Sequence, residues 1–294
     1  MGTMASMIIY CPPDSADAVL AGVEQTIHRL DHQLSVYEDG ATGRLNADSR
    51  AALVNPHLHN LVTASDSLHR LTGGRFDPTT GGLVRLWGFP GSPAVPESAA
   101  IKTALLLTGW DSLVTVTADS VRLASGVMLD FGAAAKGYAA DVGWQRAMDL
   151  GADAALVEIG GEVRCGSAAG FEKTWTVGIR HPRSEGLLET IELNEGAVAT
   201  SGDYESYFMD DTGRRYSHIL DPATGWPANG AASATVLARS CLVADAVATA
   251  LVIGGVHLAD SLPEAMVRAI LIIEDSGGSL VERRRGEWQQ GPNG

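Results

Sequence analysis

Ala244-Asp245-Ala246-Val247-Ala248-Thr249-Ala250-Leu251-Val252-Ile253 is an apolar run broken by one carboxylate and one hydroxyl. It reads as a buried helix, and residues four apart share a helix face, so Asp245 and Thr249 are presented together to whatever packs against them. An unpaired carboxylate in such a place costs several kcal/mol and calls for a cation, a hydrogen-bond network or a proton. Hard oxygen donors suit Mg²⁺ or Ca²⁺ rather than zinc. The alternative is a satisfied Asp near a helix start, with Thr249 bonding back to its own helix.

Outward from this helix the chain alternates strand-like runs with turns. Ala154–Ile159, Thr174–Ile179, Thr190–Leu193, Tyr216–Leu220, Ser233–Leu237 and Ala269–Ile273 read as strands, interrupted by helices over Ala134–Leu150 and Ala244–Ile253. Strands joined by hairpins with a few long helices predict an α+β architecture rather than a βαβ series. In the first half, apolar residues at helical spacing predict helices over 16–34 and from Leu58 to Leu71, the second closed by Gly73-Gly74. Gly88–Pro96 is a Gly/Pro-rich loop and a candidate lobe boundary, and Ser112–Thr117 with Val121–Ala124 reads as a hairpin. The expected organisation is one domain over residues 1–287, with two lobes meeting near 88–96, and a disordered tail over 288–294.

The chain has 294 residues, 45% of them hydrophobic, and a formal net charge of −14. That is enough chain for one large core or two smaller lobes. The charge argues against nucleic acid or an anionic membrane surface as partner, and an anionic ligand needs local compensation. Cys11, Cys165 and Cys241 lie far apart without metal-ligand spacing and read as small hydrophobes of a reducing compartment. No run of 18 apolar residues is present, so no membrane insertion is expected. The start, Met1-Gly2-Thr3-Met4-Ala5-Ser6-Met7-Ile8-Ile9-Tyr10, lacks the pattern of an export signal, so the chain as written is expected in the cytoplasm, or exported if a leader has been trimmed from it.

Six clusters combine glycines, polar groups and aromatics at tight spacing. Ser35-Val36-Tyr37 with Arg44-Leu45-Asn46 offers an aromatic face on a loop after a helix, or a Tyr anchoring that loop. Gly73-Gly74-Arg75-Phe76-Asp77-Pro78-Thr79-Thr80-Gly81-Gly82 allows close backbone approach to a ligand, or is an ordinary turn. Leu129-Asp130-Phe131-Gly132-Ala133-Ala134-Ala135-Lys136-Gly137-Tyr138-Ala139-Ala140-Asp141 runs from a strand end into a helix start, where exposed amides and Lys136 suit a phosphate. Glu158-Ile159-Gly160-Gly161-Glu162 implies a bulge or close backbone contact, and Ala199-Thr200-Ser201-Gly202-Asp203-Tyr204 a polar turn. His218-Ile219-Leu220-Asp221-Pro222-Ala223-Thr224-Gly225 places at a strand end the side chain best matched to proton transfer near neutral pH.

In this order the clusters resemble the ApbE family, the FAD:protein FMN transferases that install covalent flavin on other proteins after translation. His-Ile-x-Asp-Pro-x-Thr-Gly at 218–225 and Asp-x-x-x-Thr at 245–249 are its most specific parts, supported by Lys-Gly-Tyr-Ala-Ala-Asp at 136–141 and by Met1-Gly2-Thr3. The resemblance implies a sheet-rich α+β fold of T-fold-like character with flanking helices. It implies FAD as substrate, with contacts from Met1, Tyr37, Arg75, Phe76, Asp77, Lys136 and Ile219, and Tyr37 packing on the flavin ring. It further implies Mg²⁺ held by Asp245, Thr249 and the Ala133 carbonyl, with His218 as the base. The expected reaction moves FMN from FAD to a threonine hydroxyl of an acceptor protein, forms a phosphoester and releases AMP. The alternative is an FAD pyrophosphatase, with water in place of the threonine. The loop Gly40-Ala41-Thr42-Gly43 departs from the Ser that many members carry there.

Overall fold

The computed structural model describes residues 2–36, 40–52, 55–276 and 279–291. In chain order the elements are β1 (Ala5–Tyr10), α1 (Ala16–Leu34), α2 (Ala41–Asp48), β2 (Arg50–Ala52), α3 (Pro56–Leu71), α4 (Gly81–Trp87), α5 (Ser98–Leu105), α6 (Trp110–Leu113), β3 (Val114–Val116), β4 (Ser120–Leu123) and α7 (Ala135–Asp149). They continue with β5 (Ala154–Ile159), β6 (Glu162–Ser167), β7 (Trp175–Arg180), β8 (Leu187–Leu193), β9 (Gly196–Gly202), β10 (Tyr207–Met209), β11 (Arg215–Ser217), β12 (Ser233–Ala238), α8 (Cys241–Ser261), β13 (Val267–Ser276) and β14 (Ser279–Gly286).

A seven-stranded sheet in the order β1-β5-β6-β9-β12-β13-β14 organises the molecule, and every neighbouring pair in it is antiparallel. Side chains on a strand alternate between faces. Along β13, Val267, Ile270 and Ile272 join the core beneath the helices, while Ala269, Leu271 and Ile273 join a second core on the opposite face. On β12 and β9, Ala234, Val236, Ala197 and Ala199 face the helices, and Leu237 and Val198 face away. Both faces are therefore covered, which is why these strands read as nearly continuous apolar runs. Helices α7 and α8 lie on one face with α1 against α7; the two-stranded sheet β7-β8 closes the other through Trp175, Val177, Ile179, Ile191 and Leu193. A third cluster, centred on Trp87, Phe89, Ile101, Tyr216 and Leu220, ties α4 and α5 to the β10-β11 hairpin. The result is the expected α+β arrangement.

Several local expectations need correction. The stretch over 199–204, read as a polar turn, runs through the end of β9, a central strand whose small residues let α8 approach closely. The strand over Tyr216–Leu220 stops at Ser217: the His218 N–H still donates to the Ser206 carbonyl at 2.9 Å, in register with β10, but Leu220 bridges Pro227 instead. Trp288–Gly291, read as the start of a disordered tail, lies along β8: the Glu192 N–H donates to Gln289 O at 2.8 Å and the Gly291 N–H to Thr190 O at 2.9 Å. Residues 292–294 lie outside the described residues. Although the sequence shows no run of 18 apolar residues, α8 has 21 residues and a mean hydropathy of 1.9, enough in length and composition to cross a membrane. It packs against α7, β9, β12 and β13, the position of a core helix. Cys165 and Cys241 are buried and Cys11 is half-buried, all three as free thiols.

Candidate active site

The two helices under the sheet are locked together at their N-terminal ends. Asp141, in the second turn of α7, accepts from the Ser240 hydroxyl at 2.7 Å and from the N–H groups of Cys241 and Leu242 at 2.9 and 3.0 Å, so one helix caps the other. Gly137 makes the close approach possible: a Cβ there would lie 2.2 Å from the Cys241 carbonyl oxygen. Its N–H donates to Asp245 Oδ2 at 3.0 Å. In a regular helix that N–H would return to the carbonyl four residues back, which is Ala133. Among the described residues no backbone N–H donates to the Ala133 oxygen. One redirected amide thus fixes Asp245 and leaves the Ala133 carbonyl open.

Lys136, beside Gly137, reaches Glu162 Oε1 at 2.7 Å and lies 3.6 Å from Asp245 Oδ1. Gly160, at φ +64°, makes room for it, since a Cβ there would stand 3.3 Å from Lys136 Cδ and 2.8 Å from Thr3 Oγ1. Both carboxylates are about 99% buried, and each leaves one oxygen, Asp245 Oδ1 and Glu162 Oε2, without a hydrogen bond. Burial pushes the Asp245 carboxyl up, against the opposing pull of Lys136 and the Gly137 amide. Burial and the Asp245 charge push Glu162 up to about 8. Burial alone would lower the Lys136 ammonium, but the Asp245 and Glu162 charges outweigh it and hold the group above its ordinary range. A third carboxylate, Glu205, adds its charge from an exposed position. On the same α8 face the Thr249 hydroxyl lies 2.9 Å from Ser201 Oγ on β9, rather than bonding back to its own helix.

His218 stands just past β11. Its Nδ1 lies 3.0 Å from the Ser206 carbonyl oxygen, which can only accept, so Nδ1 carries the proton and Nε2 presents a lone pair. The ring meets Phe89 edge-on at 6.4 Å between centroids. Burial lowers its pKa, and the Lys136 charge, felt at the imidazole, lowers it further. The ring is a neutral base at pH 7.

Of the remaining expected residues, Arg75 joins the second cluster to the sixth through Nη1 at 3.4 Å from Asp221 Oδ1, and its Cγ runs close to Gly254 of α8. Phe76 and Ile219 are 3% and 5% exposed, within the core beneath the sheet. The Asp77 carboxylate is taken by the protein: it accepts from the Thr79 N–H and hydroxyl at 2.8 and 2.6 Å and from the Trp110 N–H at 3.1 Å. Met1 and Tyr37 lie outside the described residues. Lys136 and Asp245 thus meet, Thr249 follows Asp245 on the same α8 face, the Lys136 charge is felt at His218, and Arg75 pairs with Asp221. Glu162, Ser201 and Asp141 stand within the sequence clusters with no expected part, although the first pairs Lys136, the second meets Thr249 and the third caps α8. A charged residue directly after Gly160-Gly161 was the available signal for Glu162.

Among the described residues no group of three or more His, Cys, Asp or Glu is arranged to hold a metal. The expected set holds one such residue, with a hydroxyl and a carbonyl. Those donors fit a hard divalent cation: a buried carboxylate oxygen without a partner, a neighbouring hydroxyl and an open carbonyl.

The profile of the ApbE family matches residues 1–271. The chain is 32% identical to an FAD:protein FMN transferase of Vibrio cholerae over 95% of its own length and 86% of the relative's. It is 33% identical to one of Treponema pallidum, over 97% and 87%. Among solved structures, the ApbE protein of Thermotoga maritima superposes with a TM-score of 0.87 at 33% identity, over 97% of this chain and 94% of that one. The flavinyl transferase ApbE of Pseudomonas stutzeri in its apo form gives 0.83 at 33% identity, over 97% and 92%.

Proposed function

The chain belongs to the ApbE family, and from that premise we propose that it transfers the FMN half of FAD to a threonine hydroxyl of an acceptor protein, with Mg²⁺ required and AMP released. The observation that supports this reading is the Lys136 ammonium 3.6 Å from the buried Asp245 Oδ1, with the Thr249 hydroxyl on the same α8 face.

Phosphoryl transfer depends on positioning and charge neutralisation more than on covalent chemistry by the protein. A dinucleotide diphosphate brings negative charge to a protein of net charge −14. Lys136 supplies a permanent positive charge to its oxygens, from the start of α7. Asp245, Thr249 and the Ala133 carbonyl would hold the divalent cation, which when bound neutralises the diphosphate and the departing AMP oxygen. His218 Nε2, kept basic by the Nδ1–H bond to Ser206, takes the threonine proton as its oxygen attacks the phosphorus on the riboflavin side. The new bond joins that oxygen to phosphorus, and the bridge to the second phosphorus breaks. The half-buried setting of the imidazole beside Phe89 limits water at the base and favours an alcohol of a docked protein over hydrolysis.

The test is to mix purified protein with FAD, Mg²⁺ and an acceptor domain and look for flavin fluorescence on the acceptor after denaturing electrophoresis. Labelling supports transfer. Free FMN and AMP with an unlabelled acceptor would instead establish a pyrophosphatase.

A further inference from the structure

Two carboxylates, Glu162 and Asp245, are 1% exposed each, and one ammonium serves both. Its bond to Glu162 Oε1, at 2.7 Å, is a full charge-assisted hydrogen bond. Its approach to Asp245 Oδ1, at 3.6 Å, is electrostatic only, and that oxygen has no hydrogen bond at all. Charge attraction falls with distance, so the ammonium is held chiefly by Glu162 and lends part of its charge to Asp245. The Lys136 stem passes close over Gly160, where a Cβ would stand 3.3 Å from its Cδ.

We propose that Lys136 is the internal stand-in for the divalent cation. Its ammonium neutralises Asp245 while the cation is absent and yields that oxygen when cation and dinucleotide arrive together, with Glu162 as the anchor that keeps the ammonium at the site. This rests on the reading of Asp245 as a ligand of the cation. The consequence is coupling. A cation arriving alone has to displace the ammonium from Asp245 with nothing to receive it. When a diphosphate is present, the ammonium turns to its oxygens, and the Asp245 carboxylate is released to the cation. Glu162 thereby becomes a positioning residue, acting on the cation through Lys136.

The test is calorimetric titration of Mg²⁺, at a pH above about 8 where the Glu162 carboxyl is ionised, into wild type, Lys136→Met and Glu162→Gln, first without nucleotide and then with FAD. Without nucleotide, Lys136→Met should bind Mg²⁺ more tightly than wild type, by about fivefold or more, the lower end of ordinary coupling between two sites. Glu162→Gln frees the ammonium to settle on Asp245 and should bind Mg²⁺ alone more weakly than wild type. Equal or weaker binding by Lys136→Met overturns the proposal. So does equal or tighter binding by Glu162→Gln, which stays decisive if the methionine variant does not fold. If wild type with FAD takes up no Mg²⁺, the ligand reading of Asp245 fails and this competition with it. If wild type with FAD does bind Mg²⁺ but the variants shift in the wrong direction, the competition alone fails.

Discussion

Two buried carboxylates on opposite faces of the central sheet are treated differently. On the β7-β8 side, Glu189 is 5% exposed and both its oxygens accept from Arg284 Nη1, at 2.9 and 3.0 Å. On the helix side, Asp245 is 1% exposed, accepts one amide, and leaves Oδ1 bare beside an ammonium too distant to bond. A carboxylate that serves the fold is fully paired, because an unmet buried oxygen costs stability. One that is left half-paired marks a place where a ligand completes the bonding. The surroundings differ in the same sense. Large side chains such as Trp175, Ile179, Ile191 and Leu193 fill the first face, whereas Gly137 and the alanines of α8 let backbones close in around the second.

The largest expected effect lies on the helix side. His218→Ala should lower the rate of acceptor labelling by about 10²–10⁴-fold, the usual contribution of a positioned base, while FAD binding measured by flavin fluorescence is largely kept. Equal loss of both would make His218 a structural residue. Next, Asp245→Asn should lower turnover by about 10²–10³-fold, the equivalent of several kcal/mol of lost charge stabilisation. Its melting temperature should be unchanged or higher, since the amide oxygen still meets the Gly137 N–H and an under-paired charge is gone.

The mirror experiment is Glu189→Gln. It should destabilise the protein by about 1–3 kcal/mol, below the full cost of breaking a buried pair because the Arg284 side chain is one-third exposed, and leave the rate per folded molecule unchanged. If both variants lost stability alike, the contrast between the faces would collapse.

The smallest effect is in pH dependence. Burial and the Asp245 charge push the Glu162 carboxyl up from its ordinary 4.5 to about 8 in the folded protein. A raised carboxyl means that the folded state binds more protons than the unfolded chain between those values. Its contribution is therefore complete below about pH 4.5 and is lost as pH rises towards 8. Denaturant melts from pH 5 to 8 should show a shallower loss of stability in Glu162→Gln than in wild type.

Much of this was legible in the chain. Helix α1 falls where Val19, Val23, Ile27 and Leu30 recur at helical spacing, and each of them is buried. The strands at 154–159 and 233–238 follow from continuous β-forming runs. β9 was not legible, because Gly196-Ala197-Val198-Ala199-Thr200-Ser201-Gly202 is rich in small and polar residues, and it is a strand only through its neighbours β6 and β12. Propensity is weak in such a segment and tertiary pairing decides.

By itself, the sequence determined that a carboxylate and a hydroxyl share one helix face, that a lysine opens another helix, and that a histidine stands near a strand end, since spacing along a regular element is a local property. The tertiary structure alone decided which of these groups meet. The Asp141 cap on α8, the missing Cβ at Gly137 and the turn at Gly160-Gly161 bring Lys136 between Glu162 and Asp245 across separations of 26 and 109 residues. The charge surplus left in that pocket depends on burial and distance, and neither is written in the order of the residues.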